Sequence, residues 1–255
     1  MVAFVQRFAG EPMWIEYFAR NPHSAVELFS AALNWDAKPT EEFEDYALMY
    51  AGHGMVAGIG LQFDELELRD QWLITCDVKN AAQAAQKVEA FGGVIHVHAG
   101  SSAEGNFFVA QDPGGAWVCG WESDGVTGMQ VHDEPGAPAW FELHTARYDE
   151  SLVFYREVFG WDLVQVNEPG NARYSVLGDS RDDARAGIMD ASNFFEDGES
   201  AMWAVFFEVV DTTKAVAAIE SHGGKVVERT HPTWLGTVTG AISQDGGFFK
   251  LLESH

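Results

Sequence analysis

A strand-then-helix stretch that occurs twice in the chain decides the fold. It reads WFELHTARYDESLVFYREVFGW at Trp140–Trp161, and a diverged copy reads WIEYFARNPHSAVELFSAALNW at Trp14–Trp35. Each copy opens on Trp-x-Glu and closes on Trp, with the same spacing and no gap. A second pair of copies reads WLITCDVKNAAQAAQKVEAFGG at Trp72–Gly93 and WAVFFEVVDTTKAVAAIESHGG at Trp203–Gly224. The chain is therefore predicted to be a duplication of one domain and not a solenoid of short repeats.

Each stretch predicts one strand followed by one helix. Side chains of different character alternate along Trp140–Thr145, as in a strand with two distinct faces. Asp149 is the predicted N-cap of the following helix, and Gly160 is the predicted C′ residue that ends it. In the first copy Asn21 is the predicted N-cap and Asn34 takes the place of the glycine. Short apolar segments between Gly and Asp turns follow each helix, so the repeating module is a strand, a helix and about three strands.

Four such modules pair into two domains. The segment between the domains, DGVTGMQVHDEPGAP, is rich in Gly, Pro and Asp, as linkers tend to be. The tripeptide AGI recurs in both halves, at 57–59 and at 186–188. The predicted boundaries are an N-terminal domain at 1–124 with modules at about 11–62 and 70–124, a linker at 125–138, and a C-terminal domain at 139–255 with modules at about 139–190 and 201–255.

The composition excludes several classes of partner. The chain of 255 residues has 39 acidic against 15 basic side chains and a formal net charge of -24. Such a surface repels phosphate backbones and anionic membranes, so neither nucleic acid nor a membrane is an expected partner. The two cysteines, Cys76 and Cys119, form neither a CxxC pair nor a disulfide framework. Because the sequence has no recognisable signal peptide and no long apolar run, a cytoplasmic protein is the expectation.

The repeated motifs carry a resemblance to a known family. Paired strand–helix–three-strand modules resemble the vicinal oxygen chelate superfamily, which includes glyoxalase I, bleomycin resistance proteins and extradiol dioxygenases. The motifs W-x-E-L-x-T and F-Y-x-x-x-F-G-W within Trp140–Trp161 are similar to a tandem-domain bacterial branch labelled glyoxalase-like or hydroxylase. The resemblance implies an α+β fold of two tandem domains, each made of two βαβββ modules that form a cup-shaped mixed sheet. It also implies a ligand or metal in each cup, and two halves that pack as a pseudo-dimer.

The resemblance also states where a metal would be held. Metal-using relatives take one His or Gln from the first strand of each module and one Glu from the last strand of the domain. These positions fall on Trp140, Ala204 and Lys250 in the C-terminal half and on Trp14, Leu73 and Cys119 in the N-terminal half. The first-strand residues cannot ligate, and a lysine brings positive charge to the place of a cation. The sequence therefore predicts no metal and no other cofactor, with a divalent metal as the disfavoured alternative.

Strand alternation identifies the candidate site in the C-terminal half. Trp140, Glu142 and His144 share one face of a strand, which is predicted to line the cup, while the apolar face packs on the helix. The proposed acid–base residues are Glu142 and His144. The predicted ligand-binding residues are Trp140, Phe206, Glu208, Lys250, Trp14 and Glu16.

Two functions fit this set of residues. The first is a metal-independent protein that binds a small molecule in an aromatic and acidic cup, as resistance proteins do. The alternative is a glyoxalase-like lyase or isomerase, or a dioxygenase-type enzyme, with Glu142 as acid–base group or metal ligand. A structural role also stays open, in which Glu142 pairs with Lys250 across the sheet or bonds to a neighbouring strand. His96 and His98 share one face of a strand and form a further, weaker candidate for a metal pair.

Overall fold

The structure is a computed structural model that describes most of the chain. The described residues are 10–40, 45–62, 68, 70–102, 105–123, 128–132, 134–167, 173–195 and 200–254. Parts of the predicted linker at 125–138, namely 125–127 and 133, lie outside the described residues. No helix in the described ranges is long and apolar enough to cross a membrane.

The element order confirms the predicted α+β class. Each of four successive modules contains one strand, one α-helix and three further strands, a βαβββ order. The elements are β1 Pro12–Ala19, α1 Pro22–Leu33, β2 Trp35–Pro39, β3 Tyr46–Ala51, β4 Gly54–Leu61, β5 Gln71–Asp77, α2 Ala81–Val88, β6 Val94–Ser102, β7 Gly105–Gln111, β8 Trp117–Ser123, β9 Pro138–Thr145, α3 Tyr148–Phe159, β10 Leu163–Asn167, β11 Arg173–Leu177, β12 Ala186–Asp190, β13 Met202–Glu208, α4 Thr212–Ser221, β14 Lys225–Pro232, β15 Thr237–Ile242 and β16 Phe248–Glu253. A 3-10 turn at Glu89–Phe91 extends α2.

The strands form two sheets with the same order. The first sheet is β2-β3-β4-β1-β5-β8-β7-β6 and the second is β10-β11-β12-β9-β13-β16-β15-β14. The pairs β1–β4 and β13–β16 are parallel, whereas β2–β3, β3–β4, β15–β16 and others are antiparallel, so both sheets are mixed. Two eight-stranded mixed sheets with few helices are the fold that the duplicated modules predicted.

Local sequence determines where most helices begin and end. Asn21 accepts a hydrogen bond from the Ser24 amide at 3.2 Å, which confirms it as an N-cap. Asn34 ends the same helix in the left-handed conformation at a φ of 56°. Gly160 ends α3 at a φ of 74°, also as predicted. These residues fix the direction in which the chain leaves each helix.

The prediction that Asp149 caps α3 is wrong. The helix begins at Tyr148, and its N-cap is Arg147, which makes no side-chain capping bond. Both carboxylate oxygens of Asp149 instead accept from Arg173, at 2.9 and 2.8 Å. A charged partner from a distant strand has therefore taken the carboxylate that a sequence motif assigns to the helix end.

Contacts divide the chain into two compact units, each drawn from both sequence halves. The first unit comprises Met1–Met13, Thr75–Val126 and Glu142–Met202, as far as these ranges are described. In it α2 packs on α3, and Lys87 donates to the Glu157 carbonyl at 2.8 Å. The Trp161 indole donates to the Gly10 carbonyl at 2.8 Å.

The second compact unit comprises Trp14–Ile74, Thr127–Phe141 and Trp203–His255, with the same restriction. In it α1 packs on α4 around a cluster of buried aromatic rings. The rings belong to Tyr17, Phe29, Trp35, Trp72, Phe207 and Phe249. The Trp35 indole donates to the Gly136 carbonyl at 2.7 Å, so the closing tryptophan of each copy makes the same kind of bond.

A buried aspartate closes the turn before β8 in the first compact unit. Asp112 accepts from the amides of Gly114 and Ala116 at 2.8 and 2.9 Å, and from the Tyr155 hydroxyl at 3.3 Å. Burial outweighs these bonds and raises the pKa of Asp112 to about 6. Ionisation of Asp112 near neutral pH therefore destabilises the folded protein relative to the unfolded chain.

Replacing Asp112 by Asn is expected to change how stability depends on pH. An acid whose pKa is higher in the folded state binds its proton more readily there, so wild-type stability falls as pH rises from about 4 to about 6. Asn keeps an acceptor for Gly114 and Ala116 and carries no charge. In urea titrations the free energy of unfolding of D112N should rise relative to that of wild type by about 3 kcal/mol across this window, and the difference should stay constant at higher pH.

Asp190→Asn is the matched control of opposite sign. Burial disfavours the Asp190 carboxylate, but bonds from Ser192 and Arg173 outweigh it and lower its pKa. The D190N variant should therefore lose stability relative to wild type as pH rises through the acid range. If the free energies of unfolding of wild type and D112N changed in parallel with pH, the raised pKa of Asp112 would be contradicted.

Candidate functional site

Glu142 and His144 lie on the face of β9 that points away from the helix. Ser151 of α3 donates to the Thr145 hydroxyl at 3.3 Å, which places Thr145 on the helix side of β9. Because side chains alternate along a strand, Glu142 and His144 point to the other side, as the sequence predicts. Both residues are nonetheless nearly buried, at 7% and 6% exposure.

The Glu142 carboxylate contacts His144 and Tyr174 in the first compact unit. His144 Nε2 lies 2.7 Å from Glu142 Oε1, and the two atoms share a hydrogen bond. Tyr174 donates its hydroxyl to Glu142 Oε2, also at 2.7 Å. The structure therefore brings the two predicted acid–base residues together and adds a tyrosine that sequence reasoning missed. We call Glu142, His144 and Tyr174 the Glu142 cluster.

A glycine makes room for the tyrosine. Tyr174 is on β11, and β12 lies between β11 and β9 in the sheet. The Tyr174 side chain crosses β12 over Gly187, where an added Cβ would lie 2.2 Å from the tyrosine oxygen. Any side chain at Gly187 would therefore push Tyr174 away from Glu142.

The first half repeats this arrangement in the second compact unit. Tyr46 donates to Glu16 Oε1 at 2.8 Å, and an added Cβ at Gly58 would lie 1.9 Å from the Tyr46 oxygen. Gly58 is the strand partner of Glu16 on the parallel pair β1–β4. Burial raises the pKa of Glu16, which the Tyr46 bond opposes. The recurring AGI tripeptide is thus the sequence signal of a Glu–Tyr pair that crosses a glycine.

The two copies differ at one position that matters for chemistry. Phe18 stands in β1 where His144 stands in β9. When Glu142 is ionised, both of its oxygens accept, so the bond to His144 is then an N–H of Nε2 that donates to Glu142 Oε1. A histidine oriented in this way can take up a proton, whereas the phenyl ring of Phe18 cannot.

Lys250 lies in a second cluster, within the second compact unit. The Lys250 residue is 7% exposed, and its Nζ lies 3.4 Å from Glu228 Oε2. The ammonium also lies 5.0 Å from the ring centre of Phe206 and 5.8 Å from that of Phe248. We call Lys250, Glu228, Phe206 and Phe248 the Lys250 cluster.

The remaining predicted ligand residues have different surroundings. Trp140 is 1% exposed and packs edge-on against Trp234, with ring centres 5.2 Å apart. Glu208 accepts from the amide and hydroxyl of Ser254, at 3.2 and 2.6 Å, so it holds the residue that follows β16. Trp14 is partly exposed on β1. The sequence predicts that these residues and the Glu142 cluster line one cup, and this stays a prediction.

The family metal does not fit the residues at the positions that the resemblance predicts for its ligands. Trp140 and Ala204 carry no donor that binds a metal, and the last-strand position holds an ammonium among aromatic rings. Within the described ranges, no group of three His, Cys, Asp or Glu side chains could hold a metal ion. His96, one of the weaker candidates, shares a hydrogen bond with Gln111 at 3.0 Å and packs on Trp117.

Replacing Gly187 by Ala is expected to destabilise the protein and to loosen the Glu142 cluster. The added methyl group meets the Tyr174 hydroxyl, so the free energy of unfolding should fall by about 2 kcal/mol in urea titrations. Gly58→Ala should act in the same way in the other copy. Gly100→Ala is the control, because its nearest neighbours lie at an ordinary 3.7 Å. Equal unfolding midpoints for G187A and G100A would contradict the crossing of Tyr174 over the glycine.

Comparisons with known proteins agree with the repeated modules. The model of the Glyoxalase/Bleomycin resistance protein/Dioxygenase superfamily matches residues 137–249, in the C-terminal half. DnrV of Streptomyces peucetius, an anthracycline biosynthesis protein, is 29% identical over 103 residues, covering 36% of this chain and 38% of DnrV. The match therefore spans well under half of that relative's length.

Two further relatives cover nearly the whole chain. CFP32 of Mycobacterium tuberculosis (strain CDC 1551 / Oshkosh), provisionally named a glyoxylase, is 27% identical over 96% of this chain and 95% of its own. The Mn(II)-bound glyoxalase of Novosphingobium aromaticivorans has the same fold, with a TM-score of 0.64 at 13% identity, over 95% of this chain and 81% of that one. Residues 137–249 match the glyoxalase/bleomycin resistance protein/dioxygenase superfamily, and the chain as a whole has the fold of a solved glyoxalase.

Proposed function

We propose that this protein binds a small aromatic molecule without the metal of its superfamily. Ligand contacts come from Trp140, Phe206 and Lys250. The observation that carries the proposal is the Lys250 ammonium, which lies against Phe206 at the position where metal-using relatives place a glutamate. A cation held there opposes the binding of a second cation, and its aromatic surroundings favour a flat apolar ligand.

The relatives support an aromatic ligand. DnrV takes part in the biosynthesis of anthracyclines, according to its name, and anthracyclines are polycyclic aromatic compounds. Trp140 and Trp234 meet edge-on at 5.2 Å, and Phe206 is 2% exposed. Such rings provide apolar contact area with defined geometry, as ligand sites usually do.

A specific observation favours a second candidate, a metal-free acid–base enzyme. Glu142 and His144 are 2.7 Å apart and buried, which is the geometry of a carboxylate that orients a proton acceptor. In this reading His144 removes a proton from carbon beside a carbonyl group, and Glu142 stabilises the imidazolium that forms. The reaction class is that of a glyoxalase-like lyase or isomerase.

The purified protein is expected to contain no stoichiometric divalent metal. Elemental mass spectrometry should find no such metal, and added nickel, zinc, iron(II) or manganese should give no saturable rise in melting temperature. Lys250→Glu is the control. It supplies a carboxylate at the predicted ligand position, but it should also bind no stoichiometric metal, because Trp140 and Ala204 still cannot ligate. One tightly held metal ion per chain in the wild-type protein would overturn the proposal.

The enzyme candidate has a matched pair of variants in the two halves. With the hemithioacetal of methylglyoxal and glutathione as test substrate, Glu142→Gln should lower kcat by roughly 100-fold or more. Glu16→Gln should lower kcat much less than Glu142→Gln does, because Phe18 replaces the histidine in that copy. Equal losses in both variants would argue for a structural role of the two glutamates. A wild-type protein without turnover would contradict the enzyme for this substrate and leave the binding proposal intact.

Two expectations from the sequence remain predictions. They are the packing of the two halves as a pseudo-dimer and the cytoplasmic location.

A further inference from the structure

We propose that the first half has a binding site of its own for an organic ammonium ion, formed by Trp14, Glu16 and Tyr50. The site shares no residue with the aromatic site proposed for the second half, so the inference goes beyond the proposed function. All three residues lie in the second compact unit.

Strand pairing places the three side chains on one face of the first sheet. Trp14 and Glu16 are partly exposed on β1, whereas Ile15 between them is fully buried. Tyr46 of β3 donates to Glu16 at 2.8 Å, so it reaches the same face. The pairing of β3 with β2 is regular over the whole of β3, so side chains alternate and Tyr50 shares the face of Tyr46.

The first-half glutamate has one oxygen without a partner, unlike its counterpart. Glu142 engages both oxygens, one with His144 and one with Tyr174. Glu16 engages Oε1 with Tyr46, and within the part of the chain that the structure describes Oε2 has no hydrogen-bonding partner. Glu16 is also partly exposed, whereas Glu142 is 7% exposed. Oε2 of Glu16 can therefore accept a hydrogen bond from a ligand.

The charges on this face favour a cation. Burial raises the pKa of Glu16, because its carboxylate loses water and gains only the Tyr46 bond in exchange. An ammonium at Oε2 would offset that cost with a charge-assisted hydrogen bond. Asp36 is the strand partner of Tyr50 and adds a second carboxylate to the face. The formal net charge of -24 attracts cations over a longer range.

Two aromatic rings on the face can receive the cation and its organic group. Trp14 makes no hydrogen bond or ring contact with any residue in the described ranges. Trp140 at the aligned position is 1% exposed and packs on Trp234. The Tyr50 ring already contacts a cation, since the Lys38 ammonium lies 3.7 Å from its centre. Because Lys38 is exposed, a ligand ammonium can displace it at small cost.

The face is a binding site and not a second active site. Phe18 stands on β1 where the second half has His144, so a ligand held by Glu16 meets no histidine of that strand. The two halves would then take ligands of different chemistry at equivalent strands.

Isothermal titration with three matched probes tests the charge of the ligand. The probes are 2-phenylethylammonium, 2-phenylethanol and 3-phenylpropanoate, which share a phenyl group on a two-carbon chain and differ in charge. Wild-type protein should bind the ammonium at least about tenfold more tightly than the alcohol, equivalent to about 1.4 kcal/mol. Glu16→Gln keeps an acceptor for Tyr46 and should abolish this preference. Glu27→Gln removes the same charge from an exposed position of α1 and should preserve it.

Lys38→Met supplies a test that leaves Glu16 intact. Because the Tyr50 ring loses its internal ammonium, 2-phenylethylammonium should bind more tightly than it does to wild type. Lys225→Met removes an exposed lysine at the start of β14 and should have little effect on the affinity. Thermal unfolding of each variant shows whether it folds.

The outcomes decide the inference without touching the proposed function. Equal binding of the ammonium and the alcohol by wild type, tighter binding of the carboxylate, or no binding of any probe would overturn the ammonium site. A preference that survives in E16Q would assign the cation to another part of the acidic surface and would also overturn it. Weaker ammonium binding by K38M would contradict the contact with Tyr50. Each result leaves aromatic binding by Trp140, Phe206 and Lys250 to its own test.

Discussion

The hydrogen bonding of the Glu142 carboxylate depends on a glycine, Gly187, in the neighbouring strand β12. Gly187 lets Tyr174 pass over β12 and donate to Glu142, and the carboxylate in turn orients His144. Without that bond a buried carboxylate would have one partner fewer, at a cost of about 1–3 kcal/mol. Gly58 likewise lets Tyr46 donate to Glu16, so the Glu–Tyr pair over a glycine belongs to the duplicated fold. What is particular to the second half is the histidine.

The sequence predicted those parts of the structure that local rules decide. Alternation placed Glu142 and His144 on one face of β9, and turn and cap residues placed the ends of α1 and α3. The Asp149 cap failed because Arg173, 24 residues away, binds the carboxylate. Tyr174 was missed for a similar reason, since it lies 32 residues from Glu142 and reaches it only through the register of three strands. The AGI repeat was visible in the sequence, but only the strand pairing shows that a tyrosine crosses its glycine in each copy.

Glycine in a strand also explains how Glu228 reaches Lys250. Glu228 reaches across Gly240 as Tyr174 reaches across Gly187, so both clusters place a polar side chain over bare backbone. Sequence reasoning had no means to identify Glu228 on β14 as a partner of Lys250. Strand pairing decides this, because β14 and β16 flank the same strand.

The two halves now differ in a way that composition does not reveal. Both have the same strand order and the same Glu–Tyr pair, yet Phe18, Val109 and Cys119 give the first half an apolar filling where the second half has ionisable groups. A histidine and a lysine with their carboxylate partners are costly to bury in strands whose topology is satisfied by apolar residues. A duplication permits this division, because one copy can maintain the fold while the other carries ionisable groups that the fold does not require. The chemistry of the protein is therefore best sought in the second half.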